Sequence, residues 1–290
     1  MEHDVPSLPE EIIVKILLRL PTKSLLKFRC VSKSWLFLIS SYDFAKAHLK
    51  NSNDDRLMFG SKGFSMDLYT WSPQSAADHS AFGGTIYPPL DQNLLVQRVC
   101  IDCPLYEPHD VVWFEGSCNG LICLSSSDES LSLWNPTIGK AKKLPNSGTV
   151  LDFDYYGIGY GFGYDELIDD YKMVESLSFE PFAGAPTLDI QLKVYSLRAN
   201  SWKTLLNWPG GHAFGGSGKF LNGAIYWSVH RLDGPIEWVI VSHDLSTYTF
   251  SVVHLPHLHN EDNDDVNVDV KVLRGCLEIC CERNTHMDIW

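Results

Sequence analysis

A chain of 290 residues, 44% hydrophobic and 20% charged, has the make-up of a folded protein rather than a disordered one. It is long enough for one large all-β domain or a small domain joined to a larger one. Its net charge of −13 argues against a nucleic-acid binder, whose affinity rests on basic groups. No apolar run approaches the ~18 residues that span a bilayer. The N-terminus MEHDVPSLPEE is acidic where a secretory leader would be basic, and no N-x-S/T sequon occurs, so an intracellular protein with eight reduced cysteines is expected.

The charge is unevenly placed. Residues 1–50 hold eight Lys or Arg and five Asp or Glu, a net +3, and the remainder carries −16. Opposite signs in the two parts suggest two modules with different partners. The first 50 residues read as helical. Pro9 suits an N1-like position, Glu10 and Glu11 favour the first turn, and the helix is expected to run to Leu20, where Pro21 stops it. Thr22 or Ser24 can cap a second helix, Ser32 a third over SKSWLFLI, and SSYDFAKAHLK can form a fourth. The first helix has too much apolar surface. At ~100° per residue, Ile12, Ile13, Val14, Ile16, Leu17, Leu18 and Leu20 spread over roughly 240°, whereas covering a core needs about 100°. The surplus face needs a partner.

After Asn51 the helical period disappears. NSNDD reads as a loop, and short alternating apolar runs separated by Gly, Pro, Asn and Asp follow. They come in three kinds. One opens on Gly: NGLICL (119–124), NGAIYW (222–227), RGCLEI (274–279). A second ends at a polar turn: LSLWNP (131–136), LKVYSL (192–197), VIVSHDL (239–245), MDIW (287–290). A third often runs to Leu-Pro: KAKKLP (140–145), NSWKTL (200–205), YTFSVVHLP (248–256). Such a degenerate repeat of about 40–60 residues predicts propeller blades, with a sandwich lacking repeats as the alternative. A strand that ends on Trp290 leaves an open edge, from which an incomplete propeller on a shortened chain is expected.

Motifs for chemistry fail on inspection. GIGYGFGYD (157–165) does not fit G-x-G-x-x-G and is followed by acidic residues; its alternate glycines fit a strand against which aromatic neighbours pack closely. GGSGKF (215–220) has Phe220 where a P-loop needs Ser or Thr. Cys100-x-x-Cys103 lacks a second pair, and Cys118, Cys123, Cys276, Cys280 and Cys281 lie in or beside strands as buried thiols. His254-Leu-Pro-His257-Leu-His259 before EDNDD lacks the calcium-loop Gly and Glu. With no nucleophile elbow, the expectation is no catalytic residue, no metal and no cofactor.

Residues 8–35, LPEEIIVKILLRLPTKSLLKFRCVSKSW, resemble an F-box through the Leu-Pro start, Glu11, Ile16-Leu17, Leu20-Pro21, Ser24-Leu25 and Val31-Ser-Lys-x-Trp35. GSCNGLICL, LWNP with KKLP, GFGYDELIDDYKMV, VYSLRANSWKTL, NGAIYW and RGCLEI with DIW resemble the plant F-box-associated domain, a kelch-like β-propeller, over most of residues 110–290. Members of that family usually continue past the Asp-Ile-Trp strand. The resemblance implies an α+β multidomain chain: a helical F-box over 1–50, a linker with first irregular strands over 51–109, and an all-β, kelch-type propeller-like domain, incomplete, over 110–290. It implies a non-catalytic substrate receptor of an SCF-type ubiquitin ligase, found in nucleus and cytoplasm, with neither nucleic acid nor membrane as partner. A Skp-type adaptor, leading to a cullin and RING subunit, would contact Leu8, Pro9, Ile12, Ile16, Leu17, Leu20, Pro21, Leu25, Val31 and Trp35. The alternatives are a non-ligase scaffold, or a truncated fragment that is inactive or competes for the adaptor. Propellers bind partners through rim loops. The candidate loops are 72–93, 178–188, 206–217 and 230–237, with Trp208, His212, His230 and Arg231 as contacts to a target of basic surface; Trp238 is either a contact or core.

Overall fold

The computed structural model describes residues 8–51, 57–60, 68–71, 97–98, 103–106, 111–136, 138–148, 155–179, 189–205, 212–214, 216–231, 238–255, 267–273, 275–282 and 287–289. Four short helices come first: α1 (Glu10–Leu17), α2 (Thr22–Phe28), α3 (Lys33–Ser40) and α4 (Tyr42–Asn51). Prolines open two of them. Pro9 and Pro21 sit at the N-cap positions, with φ near −54° and −59° and extended ψ, where a missing N–H costs nothing. α1 closes three residues before the expected Leu20. Arg19 N and Leu20 N bond back three residues, to Ile16 O and Leu17 O, tightening the last turn ahead of Pro21. Neither Thr22 nor Ser24 caps α2, because Pro21, which has no side-chain acceptor, holds the N-cap position, its carbonyl accepting from Ser24 N (2.9 Å) and Leu25 N (3.1 Å). Ser32 does cap α3, its hydroxyl accepting from Trp35 N at 3.1 Å.

The bundle has a small, filled core. Leu17, Leu25 and Phe44 are buried at its centre, and Ile13, Val14, Leu18, Leu20, Phe28, Trp35, Leu38 and Ile39 pack around them. Trp35 meets Phe28 edge to face at 5.7 Å. No helix among the described residues is long and apolar enough to cross a membrane.

The sheets are antiparallel, with neighbours largely in chain order. β1 (Leu57–Gly60), β2 (Leu68–Trp71) and β3 (Gln97–Arg98) form the first. The second runs β4 (Val112–Cys118), β5 (Leu121–Ser126), β6 (Leu131–Asn135), β7 (Lys140–Lys143). The third runs from β8 (Tyr155–Asp165) through β9 (Asp170–Phe179) and β10 (Asp189–Ser196) to β11 (Ser201–Leu205). In the fourth, β12 (His212–Phe214) and β13 (Lys219–Leu221) both pair β14 (Ala224–Arg231), followed by β15 (Trp238–Asp244) and β16 (Phe250–His254). β17 (Asn267–Leu273), β18 (Cys276–Glu282) and β19 (Met287–Ile289) form the last. The three kinds of strand read from the sequence are therefore the second, third and fourth strands of successive sheets. Asn119-Gly120 and Asn222-Gly223, all at positive φ, make the tight hairpin turns that feed β5 and β14.

Successive sheets stack face to face, as propeller blades do. Cys123, Leu131 and Leu133 pack against Tyr160, Phe162 and Tyr164. Val174, Leu192 and Val194 meet Ile225, Trp227, Val239 and Val241, and Ile240 meets Val268, Val270 and Cys281. The glycine-rich strand β8 explains itself here. Tyr160, Phe162 and Tyr164 point to one face, and Gly161 and Gly163, on the other, face the next sheet. A Cβ on Gly161 would lie 2.6 Å from Trp227, and one on Gly163 would lie 2.3 Å from Phe220. The close approach carries bonds. Gly218 N donates to Tyr160 O at 2.6 Å, and Trp227 Nε1 donates to the same carbonyl at 3.1 Å. A buried ion pair between β8 and β9 also reaches the next sheet: Lys172 Nζ lies 2.7 Å from Asp165 Oδ2 and donates to the Leu245 carbonyl at 2.5 Å, under the Tyr248 ring.

Candidate functional site

The 240° apolar arc of α1 divides in two. Leu17 is 1% exposed and faces the bundle core with Ile13, Val14 and Leu18, while Ile12 and Ile16 remain 41% and 48% exposed. Leu8 at 58% and Val31 at 61% add to the exposed side, and Pro9 and Pro21 are exposed beside them in sequence. Leu20 and Trp35 are half-buried and serve the core as well. Leu17 and Leu25, which the resemblance places among the adaptor contacts, are buried in the bundle core. Two residues that sequence reasoning missed stand out on α3, Leu36 at 42% and Phe37 at 80% exposed. Their signal was present: SWLFLI has no polar residue between Trp35 and Ser40, so its apolar residues cannot all face one core. A bundle with a filled core and exposed large apolar residues that include Leu8, Ile12, Ile16, Val31, Leu36 and Phe37 presents a surface suited to a protein partner.

The sheet module places the target-contact candidates differently. Trp208 lies outside the described residues, as do most of the four candidate loops. His212 in β12 and Arg231 in β14 are opposite one another in the ladder. His230 is half-buried, its ring 4.9 Å from that of Trp238 across the β14–β15 pair, so these two rings pack on each other. Trp227 is buried between sheets. Among the described residues of the sheets, the exposed aromatics are on β4: Trp113 is 45% and Phe114 37% exposed, beside Val111 at 43%. A register shift between Phe114 and Gly116 breaks the strand's alternation, so both aromatic residues are exposed while Glu115 turns in toward the hydroxyls of Ser125 and Ser217.

The thiols offer little chemistry. Burial pushes the Cys118 thiol up to about 12, with the Glu166 carboxylate adding to it, and burial also raises Cys123 well above its ordinary value. Cys103, Cys280 and Cys281 are buried too. Cys276, expected as a buried thiol, is exposed at the start of β18, and Cys100 lies outside the described residues.

An apolar-faced four-helix module followed by stacked antiparallel sheets defines a two-module, partner-binding protein. Residues 5–46 match the F-box domain, and residues 101–290 match the F-box associated beta propeller domain; the chain belongs to this family. An F-box/kelch-repeat protein of Arabidopsis thaliana is 32% identical over 98% of this chain and 75% of its own length. The F-box protein CPR1 of the same plant is 31% identical over 98% of this chain and 69% of its own. Among solved structures, TolB from Acinetobacter baumannii aligns at a TM-score of 0.33 and 12% identity over 64% of this chain and 44% of that chain, too distant to bear on fold or function.

Proposed function

We propose that the chain is the substrate-recognition subunit of an SCF-type ubiquitin ligase. In this reading residues 1–50 dock on a Skp-type adaptor joined to a cullin and RING subunit, 51–109 link, and 110–290 hold the protein to be ubiquitinated. The observation that carries it is the exposure of the large apolar residues Leu8, Ile12, Ile16, Val31, Leu36 and Phe37 on an F-box whose own core is already filled. The net +3 of the first 50 residues suits an acidic adaptor and would speed encounter more than it deepens affinity. The receptor makes no bond. It raises the local concentration of a target lysine near the ubiquitin-charged enzyme and fixes its orientation. The surplus acid of the remaining residues selects a target with a basic surface, and Trp113 and Phe114 join His212 and Arg231 as its candidate contacts. The complex acts in nucleus and cytoplasm.

The test is purification of the tagged full chain from plant cells. Adaptor and cullin are expected to co-purify, and Leu8→Ala with Pro9→Ala is expected to lose both. Adaptor without cullin would indicate a scaffold outside the ligase, and cullin retained by the double variant would overturn the assigned face.

A further inference from the structure

Helix α4 is two-sided. Phe44 and His48, four apart, face the bundle: Phe44 is in its core, and His48 Nε2 lies 2.8 Å from the Leu20 carbonyl. Tyr42 and Lys46, also four apart, lie about 200° away on the opposite side. They meet the turn that joins β8 to β9. There the Tyr42 and Tyr164 hydroxyls both donate to Asp169 Oδ1, and Lys46 Nζ lies 3.5 Å from the same oxygen and 3.4 Å from the Tyr164 hydroxyl. Arg198 completes the cluster, its Nη2 3.1 Å from the Asp169 carbonyl and 3.5 Å from Oδ2.

The turn is built to present this carboxylate. Asp169 holds φ at 57°, a left-handed conformation that Asn and Asp tolerate best after Gly. Both tyrosine hydroxyls bond the ionised carboxyl and hold it below its ordinary range. Arg198 belongs to the turn after β10 in the same sheet, so the carboxylate is fixed to the sheet module while Tyr42 and Lys46 reach it from the bundle. Asp169 is 127 residues from Tyr42 in sequence, and the contact therefore closes the whole intervening chain onto one point.

We propose that Tyr42, Lys46 and Asp169 are positioning residues that set the angle between the F-box bundle and the propeller, and through it decide which lysines the ligase reaches. This rests on the receptor reading above. A joint made of hydroxyl and ion-pair contacts at a half-exposed site is directional but shallow, so removing its polar atoms frees the angle without unfolding either module. Adaptor contacts on α1 and α3 are separate from it.

Two variants test this in the full chain: Tyr42→Phe with Lys46→Met, and Asp169→Gly, which removes the carboxylate and tolerates positive φ. Cys30 and Cys276 are exposed, one in each module, whereas the other described cysteines are buried. With Cys100 replaced by Ser, spin labels on Cys30 and Cys276 report the distance between modules. The wild type is expected to give a narrow distance distribution and both variants a broad one, with adaptor affinity unchanged. In a reconstituted ligase with adaptor, cullin, RING subunit and ubiquitin-charged enzyme, the probe is the chain's own propeller lysines outside the core: Lys140, Lys142, Lys143, Lys193, Lys203, Lys219 and Lys271, Lys172 being buried. Mass spectrometry of self-modification is expected to find a restricted set in the wild type and a redistributed set in both variants. An unchanged narrow distribution, or an unchanged lysine pattern in a ligase that does modify the wild type, overturns the joint and leaves the receptor reading standing. A wild-type chain that binds no adaptor overturns the receptor reading and the proposal with it, even if the distances broaden.

Discussion

Replacing Lys172 by Met removes the cation from a pair whose two side chains are each 1% exposed. Asp165 would keep the Ser246 hydroxyl at 2.7 Å and the Leu167 N–H at 3.0 Å but lose its only described counter-ion. Breaking a buried pair on one side costs about 3–5 kcal/mol, mostly the penalty of the stranded charge. A domain's whole stability is about 5–15 kcal/mol, so the loss is large. At roughly 2–4 °C per kcal/mol for this size, melting should fall by roughly 6–20 °C. The assay is thermal unfolding of the full chain followed by fluorescence, since Trp227 is buried between this pair's sheet and the next, which Lys172 and Asp165 reach through the Leu245 carbonyl and the Ser246 hydroxyl. Lys172→Met with Asp165→Leu should recover part of the loss, because no charge remains buried.

The pH dependence follows from the shifts. Burial alone would raise the Asp165 carboxyl, but the bonds from Lys172, Ser246 and Leu167 outweigh it and hold it below 3.8. Burial would likewise lower Lys172, and Asp165 and Tyr248 hold it above 10.5. A depressed carboxyl stabilises fully above its unfolded value, and a raised amine stabilises fully below its own. The difference between wild type and Lys172→Met should therefore be flat between those two values, narrowing as pH falls through the lowered Asp165 value or rises through the raised Lys172 value. A Lys172→Met chain that melts within about 2 °C of wild type would refute the reasoning, as would a double variant less stable than the single one.

Gly161→Ala should cost about 1–3 kcal/mol in the same melt and alter the near-UV signal of Trp227, because its Cβ would meet Trp227 and Ile225 within 2.8 Å. Ser32→Ala should destabilise the bundle by about 1 kcal/mol through loss of the Trp35 N–H cap, read by proteolysis within residues 8–51. A native-state thiol reagent should label Cys30 and Cys276 rapidly and Cys118 and Cys123 only after denaturation. His243 is fully buried and stacked at 4.4 Å on Phe250, and burial pushes its pKa down to about 4 from 6.5. Stability should thus be full above 6.5 and fall by about 3 kcal/mol as pH drops to 4, a slope that His243→Leu abolishes; the two chains compared by urea titration at each pH decide it.

The strand families were legible because their turns carry a steric requirement: Asn-Gly at 119–120 and 222–223 adopts positive φ that few other dipeptides accept. The turn between β8 and β9 was hidden, since its left-handed residue is Asp169 rather than Gly. The alternate glycines of β8 were readable as close-packing positions, but their partners, Trp227 and Phe220, come from a distant sheet. On α1 the sequence revealed too much apolar surface without dividing it. Which side Leu17 and Ile16 take depends on α2 and α4, and Phe44 at 4% exposure settles it from 27 residues away. The aromatic pair on β4 was missed because a bulge leaves no composition signal. Thr22 and Ser24 do not cap α2 because the N-cap falls on Pro21, which has no side-chain acceptor.

The adaptor face is most directly tested by titrating a purified Skp-type adaptor into the full chain by calorimetry. Ile12 and Ile16 are exposed, so Ile12→Ser with Ile16→Ser should leave helix content and melting unchanged while removing two buried side chains from the complex. At about 1.5–3 kcal/mol per side chain, the wild type should bind with saturation and the double variant roughly a hundredfold or more weaker. Lys140→Ser, on the outer strand β7, should bind like the wild type. Equal affinity of the double variant and the wild type, or no binding by the wild type, would contradict the account.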